Sequence, residues 1–364
     1  MPAPMNVLIF SGGIGLGIYQ AGAYAELHGR EDLHPSWVAG SSIGSINAAI
    51  LAGNAPGQRV DRLLELWKAD IRGLQFDAPL TFWRWEHLQN WASAIKTRVA
   101  GSPGQFRPRM PMPWQSFGSI YDLAPLEARL EDLIDFGRLN SGETRMTVAA
   151  TDLETGDLVL FDTGKGDTIG VEHLMASCGF LPEFAPVEIG GRLLGDGGLS
   201  ANAPIEALHL LEAPCDLTCF VLDLYARDGE RPHDLESAMS RKNDLIFSNQ
   251  TWQRLLAYTR EQKIFRQHSK LTNKQHKALV APGETSIFYL SYRPRQEEAG
   301  AERGFDYSSR MLDRRWQSGA LDMAEAVVQL ESLRKGERQG VTLKAIRRSS
   351  VREETSPEPV HAWR

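Results

Sequence analysis

The sequence lacks several features that would point to common classes of protein. Its 364 residues contain no run of about 18 apolar residues, so we expect no transmembrane helix. The formal net charge is −6, so no global basic field argues for a nucleic-acid partner. Met1 to Phe10 has no cationic segment and no cleavage site, and leads directly into a predicted strand. We therefore expect a cytoplasmic protein that does not bind nucleic acid.

Cysteine is scarce, and its odd count argues against a disulfide framework. The three residues are Cys178, Cys215 and Cys219, and the last two open an apolar strand pattern. Packing in a core is therefore favoured over a disulfide or a metal site. An obvious catalytic histidine is also missing, because none of the nine histidines lies in a glycine-flanked loop.

The most informative feature that is present is the stretch from Val38 to Ala49, where a short apolar run ends in G-x-S-x-G. This pattern, followed by an alanine-rich helical pattern, is typical of a nucleophile elbow. Ser42 would lie at the tip of a sharp strand-to-helix turn, and Gly40 and Gly44 would let strand and helix approach closely. The first helical amides, from Ile43 onward, would point to the place where an oxyanion forms. A purely structural turn is the alternative, because one short motif is weak evidence.

A glycine-rich loop lies between a predicted strand at residues 6–10 and a predicted helix at residues 17–29. Its backbone N–H groups could face a dinucleotide pyrophosphate or a carbonyl oxyanion. A dinucleotide site requires G-x-G-x-x-G, but the third glycine would fall on Ile18 or on Gln20, depending on where the count begins. The pattern therefore favours the oxyanion.

Asp196 lies between glycines after a short strand pattern. Asp-Gly favours a type I′ hairpin turn, which alone would explain the pattern. A carboxylate near a serine hydroxyl can also act as its general base. His209 is the only histidine placed to complete a Ser–Asp–His order, and it falls within a predicted helix at residues 203–211. The sequence thus points to a Ser42–Asp196 dyad.

Four motifs together make roughly residues 5–225 resemble the patatin-like phospholipase family. They are the loop and helix start Gly17-Ile18-Tyr19-Gln20-Ala21-Gly22, the elbow, the small-residue segment Ala176-Ser177-Cys178-Gly179-Phe180-Leu181-Pro182, and Asp196-Gly197-Gly198. The alternation of short strands and helices predicts a three-layer α/β/α fold with a mostly parallel central sheet. The resemblance implies the same fold.

The resemblance also implies a function and a set of site residues. Ser42 would be the nucleophile and Asp196 the base, and the oxyanion hole would be formed by the N–H groups of Gly13, Ile14, Gly15 and Ile43. The implied activity is a serine acyl hydrolase of lipids or other acyl esters, with no metal and no organic cofactor. An acyltransferase that uses the same dyad is one alternative. A catalytically weak fold that binds lipid or a partner protein is another.

The oxyanion loop departs from the G-G-G-x-R-G pattern of the family at two positions. Ile14 replaces the third glycine, and Leu16 occupies the basic position. The backbone N–H groups survive the first change, so the oxyanion hole can survive as well. The second removes a cation, and we expect Leu16→Arg to raise kcat.

The sequence predicts three regions. A catalytic domain at residues 5–225 carries a Trp- and Pro-rich insertion at about residues 80–115. A mainly helical extension with one strand follows at residues 226–333 and resembles an extension of bacterial patatins. A disordered tail is expected at residues 334–364. The insertion either meets a lipid surface, giving peripheral contact with a membrane, or packs into the core. Its aromatic residues are Phe82, Trp83, Trp85, Trp91 and Trp114.

Overall fold

The structure is a computed structural model that describes residues 5–68, 83–109, 119–211, 215–271, 283–295, 298–335 and 340–347. The strands are β1 Met5–Phe10, β2 Trp37–Ser41, β3 Arg107–Pro108, β4 Tyr121–Asp122, β5 Arg145–Asp152, β6 Leu158–Asp162, β7 Val187–Ile189, β8 Arg192–Asp196, β9 Leu217–Asp223, β10 Thr285–Ser291 and β11 Val341–Ala345. The α-helices are α1 Ile18–His28, α2 Ile43–Ala52, α3 Arg59–Lys68, α4 Trp83–Ala100, α5 Ala124–Leu133, α6 Phe136–Leu139, α7 Val171–Ser177, α8 Leu235–Leu271 and α9 Ser309–Lys335.

The central sheet is mostly parallel, as the sequence predicts. Its main path runs β11-β10-β9-β1-β2-β5-β8-β7, and β6 pairs with β5 away from this path. The strands from β11 to β5 are parallel to their neighbours, whereas β6, β7 and β8 pair in antiparallel fashion. Phe10 on β1 lies level with Gly40 on β2 and Leu222 on β9. The loops that follow these three strands therefore meet at one edge of the sheet.

Both faces of the sheet are covered. Leu8 and Phe10 of β1 join the larger apolar cluster with α1, α2 and α9, whereas Val7 and Ile9 join a second cluster with residues of α8. This alternation follows from the pleat, which directs successive side chains to opposite faces. All ten residues of α2 are buried, in agreement with its mainly apolar sequence.

The residues after the predicted catalytic domain extend the same sheet. β10 pairs with β9 and β11 pairs with β10, while α9 packs along α1. β11 lies within residues 334–364, where a disordered tail is expected, so the expectation is wrong for residues 341–345. Backbone pairing along an open parallel edge gives these residues partners that local composition does not reveal. Residues 348–364 lie outside the described part of the chain.

One other expectation differs from the structure, and another falls mostly outside the described residues. The predicted helix at residues 203–211 is a shorter 3₁₀ helix at Ile205–Leu210. Among the five aromatic residues of the insertion, only Trp91 has a described side chain. The described part of the chain does not include Phe82, Trp114 or the side chains of Trp83 and Trp85. Among the described helices, none combines the length and apolar character needed to cross a membrane.

Candidate active site

Ser42 lies at the junction of β2 and α2, with φ 55° and ψ −132°. A positive φ is rare for a residue other than glycine and costs about 1–3 kcal/mol, so it persists only where the surroundings impose it. The two flanking glycines make the junction possible. A Cβ on Gly40 would collide with the backbone of Gly44, and a Cβ on Gly44 would collide with the carbonyl oxygen of Phe10.

The backbone of Ser42 is fixed by Ser177, at the end of α7. The Ser42 N–H donates to Ser177 Oγ at 2.9 Å, and this hydroxyl donates in turn to the carbonyl of Ala149 on β5 at 2.6 Å. Ser177 belongs to the small-residue segment that the sequence singles out, but its role in holding the elbow is visible only in the folded chain. The elbow is therefore tied to the neighbouring strand as well as to its own helix.

Asp196 ends β8, where it pairs with Ala150 of β5. The neighbouring residue of β5, Ala149, pairs with Ser41 on β2. Because β5 lies between β8 and β2, this register brings the Asp196 carboxyl to the level of the elbow. The Gly198 N–H donates to Asp196 Oδ1 at 2.6 Å, and the side chain is 2% exposed. The structure therefore brings together two residues that are 154 positions apart (196 − 42) in the sequence.

Burial raises the pKa of the Asp196 carboxyl to about 7, while hydrogen bonds from the Ser42 side chain and the Gly198 N–H act in the opposite direction. A carboxylate in such an environment is a much stronger base than an exposed aspartate. Cys178 lies at the same place: burial and the charge of Asp196 hold the pKa of its thiol well above the usual range, and a hydrogen bond with Ser42 opposes them. Ser42, Asp196 and Cys178 thus form one cluster, in which Asp196 and Cys178 are buried and Ser42 is partly exposed.

The glycine-rich loop approaches Ser42 directly. A Cβ on Gly12 would lie 2.9 Å from the Cβ of Ser42. Among the described residues, no acceptor is found for the N–H groups of four residues: Gly13, Ile14, Gly15 and Ile43. Unpaired amides at such a loop and at a helix N-terminus are suited to bind an anion. These are the four groups that the sequence nominates for an oxyanion hole.

Ile14 and Leu16 differ in their surroundings. Ile14 has φ 50°, a conformation that disfavours a β-branched side chain and explains why a glycine is natural there. Leu16 is 1% exposed and belongs to the larger apolar core. An arginine at this position would enter the core rather than a polar site, which removes the basis for expecting Leu16→Arg to raise kcat.

Asn202 and Asp223, which the sequence does not nominate, border the loop. Asn202 accepts a hydrogen bond from the Gly12 N–H at 3.0 Å through its carbonyl oxygen. Asp223 ends β9, is fully buried, and accepts a hydrogen bond from Tyr289 Oη at 3.0 Å. Burial raises the pKa of Asp223 to about 7. Only the parallel pairing of β9 with β1 places this second carboxyl beside the loop.

His209 has a different partner. Its Nε2 lies 2.8 Å from Glu261 on α8, and its side chain is half exposed. All three cysteines are free and buried, in agreement with the core packing that the sequence favours. Within the described ranges, no group of three His, Cys, Asp or Glu side chains could hold a metal ion.

The fold and the site define an α/β protein that presents a serine elbow and a glycine-rich loop at the same edge of its sheet. Comparison with protein-family models gives a match to "Patatin-like phospholipase" over residues 8–209, more than half of the chain. The chain therefore belongs to the patatin-like phospholipase family, and this membership supports a lipid hydrolase activity. A search of curated proteins finds no significant match.

Solved structures with distant similarity include two bacterial proteins. VipD from Legionella pneumophila is 13% identical with a TM-score of 0.36; the alignment covers 85% of this chain and 67% of VipD. The type III effector ExoU is 14% identical with a TM-score of 0.40, and the alignment covers 93% of this chain and 55% of ExoU. ExoU from Pseudomonas aeruginosa in complex with SpcU is 15% identical with a TM-score of 0.30; the alignment covers 92% of this chain and 80% of that one. This chain thus spans little more than half the length of the first of these two ExoU chains, of which 55% is covered.

Proposed function

We propose that the chain is a serine acyl hydrolase of lipids, with Ser42 as nucleophile and Asp196 as general base. The observation that carries the proposal is the placement of the two residues: strand register brings the buried Asp196 carboxyl to the level of a serine held at positive φ on a strand–helix junction. The Ser42 side chain is near enough to this carboxyl to act on its pKa. A nucleophilic serine needs such a base within hydrogen-bond reach. His209 is not required, because its partner is Glu261.

In the proposed reaction, the Asp196 carboxylate accepts the proton of the Ser42 hydroxyl while Oγ attacks the ester carbonyl. The oxyanion that develops accepts hydrogen bonds from the N–H groups of the loop and of Ile43. Collapse of the tetrahedral intermediate expels the alcohol, which takes the proton from Asp196. Asp196 then deprotonates a water molecule that attacks the acyl-enzyme, and it returns this proton to Ser42 Oγ as the Oγ–acyl bond breaks and the fatty acid leaves.

We also propose that α4 brings the protein to the surface of aggregated lipid. Leu88, Trp91, Ile95 and Val99 follow one another at helical spacing and are between 37% and 72% exposed. An exposed apolar stripe with a tryptophan suits the interfacial region of a bilayer. Peripheral contact of this kind would leave the core of the protein unchanged.

The nucleophile is tested by covalent labelling with a fluorophosphonate. Ser42→Ala should abolish labelling, because no other serine sits at the tip of the elbow. Ser41→Ala and Ser45→Ala are matched controls that should retain it: Ser41 packs against Gly197, and Ser45 Oγ donates to the carbonyl of Ser42 at 2.7 Å. Labelling that survives Ser42→Ala would refute the assignment.

The base and the reaction type need separate measurements. Asp196→Asn should lower kcat by at least about 10²-fold, whereas His209→Ala should stay within a few-fold of wild type. If a folded His209→Ala enzyme is inactive while the Asp196→Asn enzyme remains active, the dyad assignment is wrong and another catalytic arrangement is required. Analysis of products with and without an acceptor alcohol separates hydrolysis from acyl transfer, and fatty acid as the main product in both cases would support the hydrolase.

A further inference from the structure

Arg315 on α9 is a fully buried cation that donates hydrogen bonds to three backbone carbonyls and to one carboxylate. Its guanidinium donates to the carbonyls of Asp306 and Arg303, both at 2.8 Å, and to that of Gly15 at 3.4 Å. Its charge is balanced by Glu298 Oε2 at 3.3 Å, and both side chains are almost completely shielded from solvent. Arginine suits such a place, because its planar fork can serve several acceptors at once.

The turn that Arg315 holds, residues 300–306, packs on the glycine-rich loop. A Cβ on Gly15 would lie 2.7 Å from the carbonyl oxygen of Gly304 and 3.0 Å from the ring of Tyr307. From the other side, a Cβ on Gly304 would lie 3.7–4.0 Å from atoms of Gly13 and Ile14. The loop that carries the candidate oxyanion amides is therefore in contact with the C-terminal extension along three successive residues.

The helix that follows the loop is held by the same extension. Gly319 on α9 meets the carbonyl oxygen of Tyr19 on α1, and Gly22 on α1 meets the backbone of Trp316, so closely that neither position has room for a Cβ. Tyr19 Oη also donates to Asp322 Oδ2 at 2.7 Å. Because α1 begins directly after the loop, the extension holds the loop in two ways. The 300–306 turn packs on the loop itself, and α9 packs on the helix that follows it.

We propose that Arg315 is a positioning residue for the oxyanion hole: it clamps the 300–306 turn and the Gly15 carbonyl so that the amides of residues 13–15 face the reacting carbonyl of the substrate. This gives the C-terminal extension a role in the reaction. The inference rests on the proposed function. Arg315 itself does not contact the substrate, because it is fully buried and its hydrogen bonds go to backbone carbonyls and to Glu298.

The test compares Arg315→Lys with Arg59→Lys in the full chain. Arg59 is also buried and also donates to a backbone carbonyl, that of Asn54 at 3.1 Å, but its hydrogen bonds do not include the loop. Lysine keeps the charge at either site and loses the fork. For Arg315→Lys we expect kcat on a short soluble ester to fall about 10-fold or more with KM within about 3-fold, since a small misplacement of the catalytic amides acts on the transition state. For Arg59→Lys we expect kcat to remain within about 3-fold of wild type.

Hydrogen exchange gives a second reading that does not depend on activity. The backbone amides of residues 16–20 should exchange about 10-fold faster in Arg315→Lys than in wild type, and at the wild-type rate in Arg59→Lys. A folded Arg315→Lys protein with wild-type kcat and wild-type exchange would overturn the inference. Equal losses in both variants would also overturn it, because they would reflect the burial of an arginine rather than its contact with the loop. An inactive, unlabelled wild-type protein would refute the proposed hydrolase, whereas the exchange experiment would still decide whether Arg315 holds the loop.

Discussion

At the scale of single residues, the site depends on where the proton of Asp196 resides. Burial raises the pKa of this carboxyl to about 7, so that near neutral pH both protonation states are populated. Only the deprotonated form can accept the proton of Ser42. A base with a pKa close to the working pH combines availability with proton affinity, which an exposed aspartate with its much lower pKa cannot do.

This raised pKa predicts that kcat/KM on a soluble ester rises with pH through a midpoint near 7. Below the midpoint, the activity should fall by about tenfold for each pH unit, because the free enzyme binds one proton at its base. Asp223 is a second buried carboxyl with a pKa raised to about 7, so Asp223→Asn is the matched control and should keep the profile. A wild-type profile that is flat between about pH 5 and pH 9 would contradict the assignment of the base.

The same shift has a consequence for stability. A carboxyl whose pKa is higher in the folded than in the unfolded state binds more protons when folded, so its contribution is fully present at low pH and is lost as the pH rises through about 7. The free energy of unfolding of Asp196→Asn, taken relative to that of wild type, should therefore be higher above pH 7 than at pH 5. Chemical denaturation at these two pH values measures the difference, and an unchanged difference between the proteins would argue against a raised pKa.

At the scale of secondary-structure elements, the contact between α1 and α9 has the least tolerance for change. Gly319 and the Tyr19 carbonyl oxygen are in such close contact that the helices would have to move apart to admit one methyl group. Close packing of this kind requires glycine, despite its entropic cost within a helix. It also transmits the position of α9 to the loop that precedes α1.

Gly319→Ala should therefore lower both the melting temperature and kcat. We expect a loss of stability of about 1–3 kcal/mol or more, as in other overpacked interiors, and a displaced oxyanion loop. Gly29→Ala is the control at the end of α1, because a Cβ there would meet no atom within 4 Å. A melting temperature for Gly319→Ala equal to that of wild type would show that the two helices are not in the described contact.

At the scale of the whole molecule, α4 is joined through Arg98 to the turn that packs on the glycine-rich loop. Arg98 of α4 pairs with Glu302 at 2.6 Å and lies 3.8 Å from the ring of Phe305, in the turn that supports the loop. Arg98 also pairs with Glu183 at 3.5 Å, five residues after Cys178 (183 − 178). These contacts connect the proposed lipid-facing helix to the surroundings of Ser42.

The double variant Trp91→Ala, Val99→Ser should raise KM on phospholipid vesicles far more than on a short soluble ester. The soluble ester needs only the dyad and the oxyanion amides, whereas aggregated lipid must also bind the surface of the protein. Because both side chains are exposed, the melting temperature should change little. Leu321→Ser, Val328→Ser is the matched control on α9, where the side chains are 42% and 51% exposed. Equal effects of the two double variants on vesicles would remove α4 as the docking surface.

The sequence by itself determined the family, the mostly parallel sheet and the residues of the elbow, because each depends on local chemistry. An apolar run that ends in G-x-S-x-G needs its glycines for one tight junction, and alternating strands and helices favour a parallel sheet. Ser42 and Asp196 could be nominated as a candidate dyad in this way. The sequence could also show that Ile14 and Leu16 depart from the family pattern.

The tertiary structure alone decided which distant residues complete the surroundings of this site. Tertiary packing brings Ser177, Asn202 and Asp223 to the elbow and the loop. The sequence marks only Ser177 among them, as part of a small-residue segment, and it does not show that this residue holds the elbow. The same holds for Arg315. In the sequence it resembles any other cation of a helix, but packing of α9 against α1 buries it beside Gly15. Burial also changes the chemistry of a residue, since the pKa of Asp196 rises because the folded chain removes water from its carboxyl.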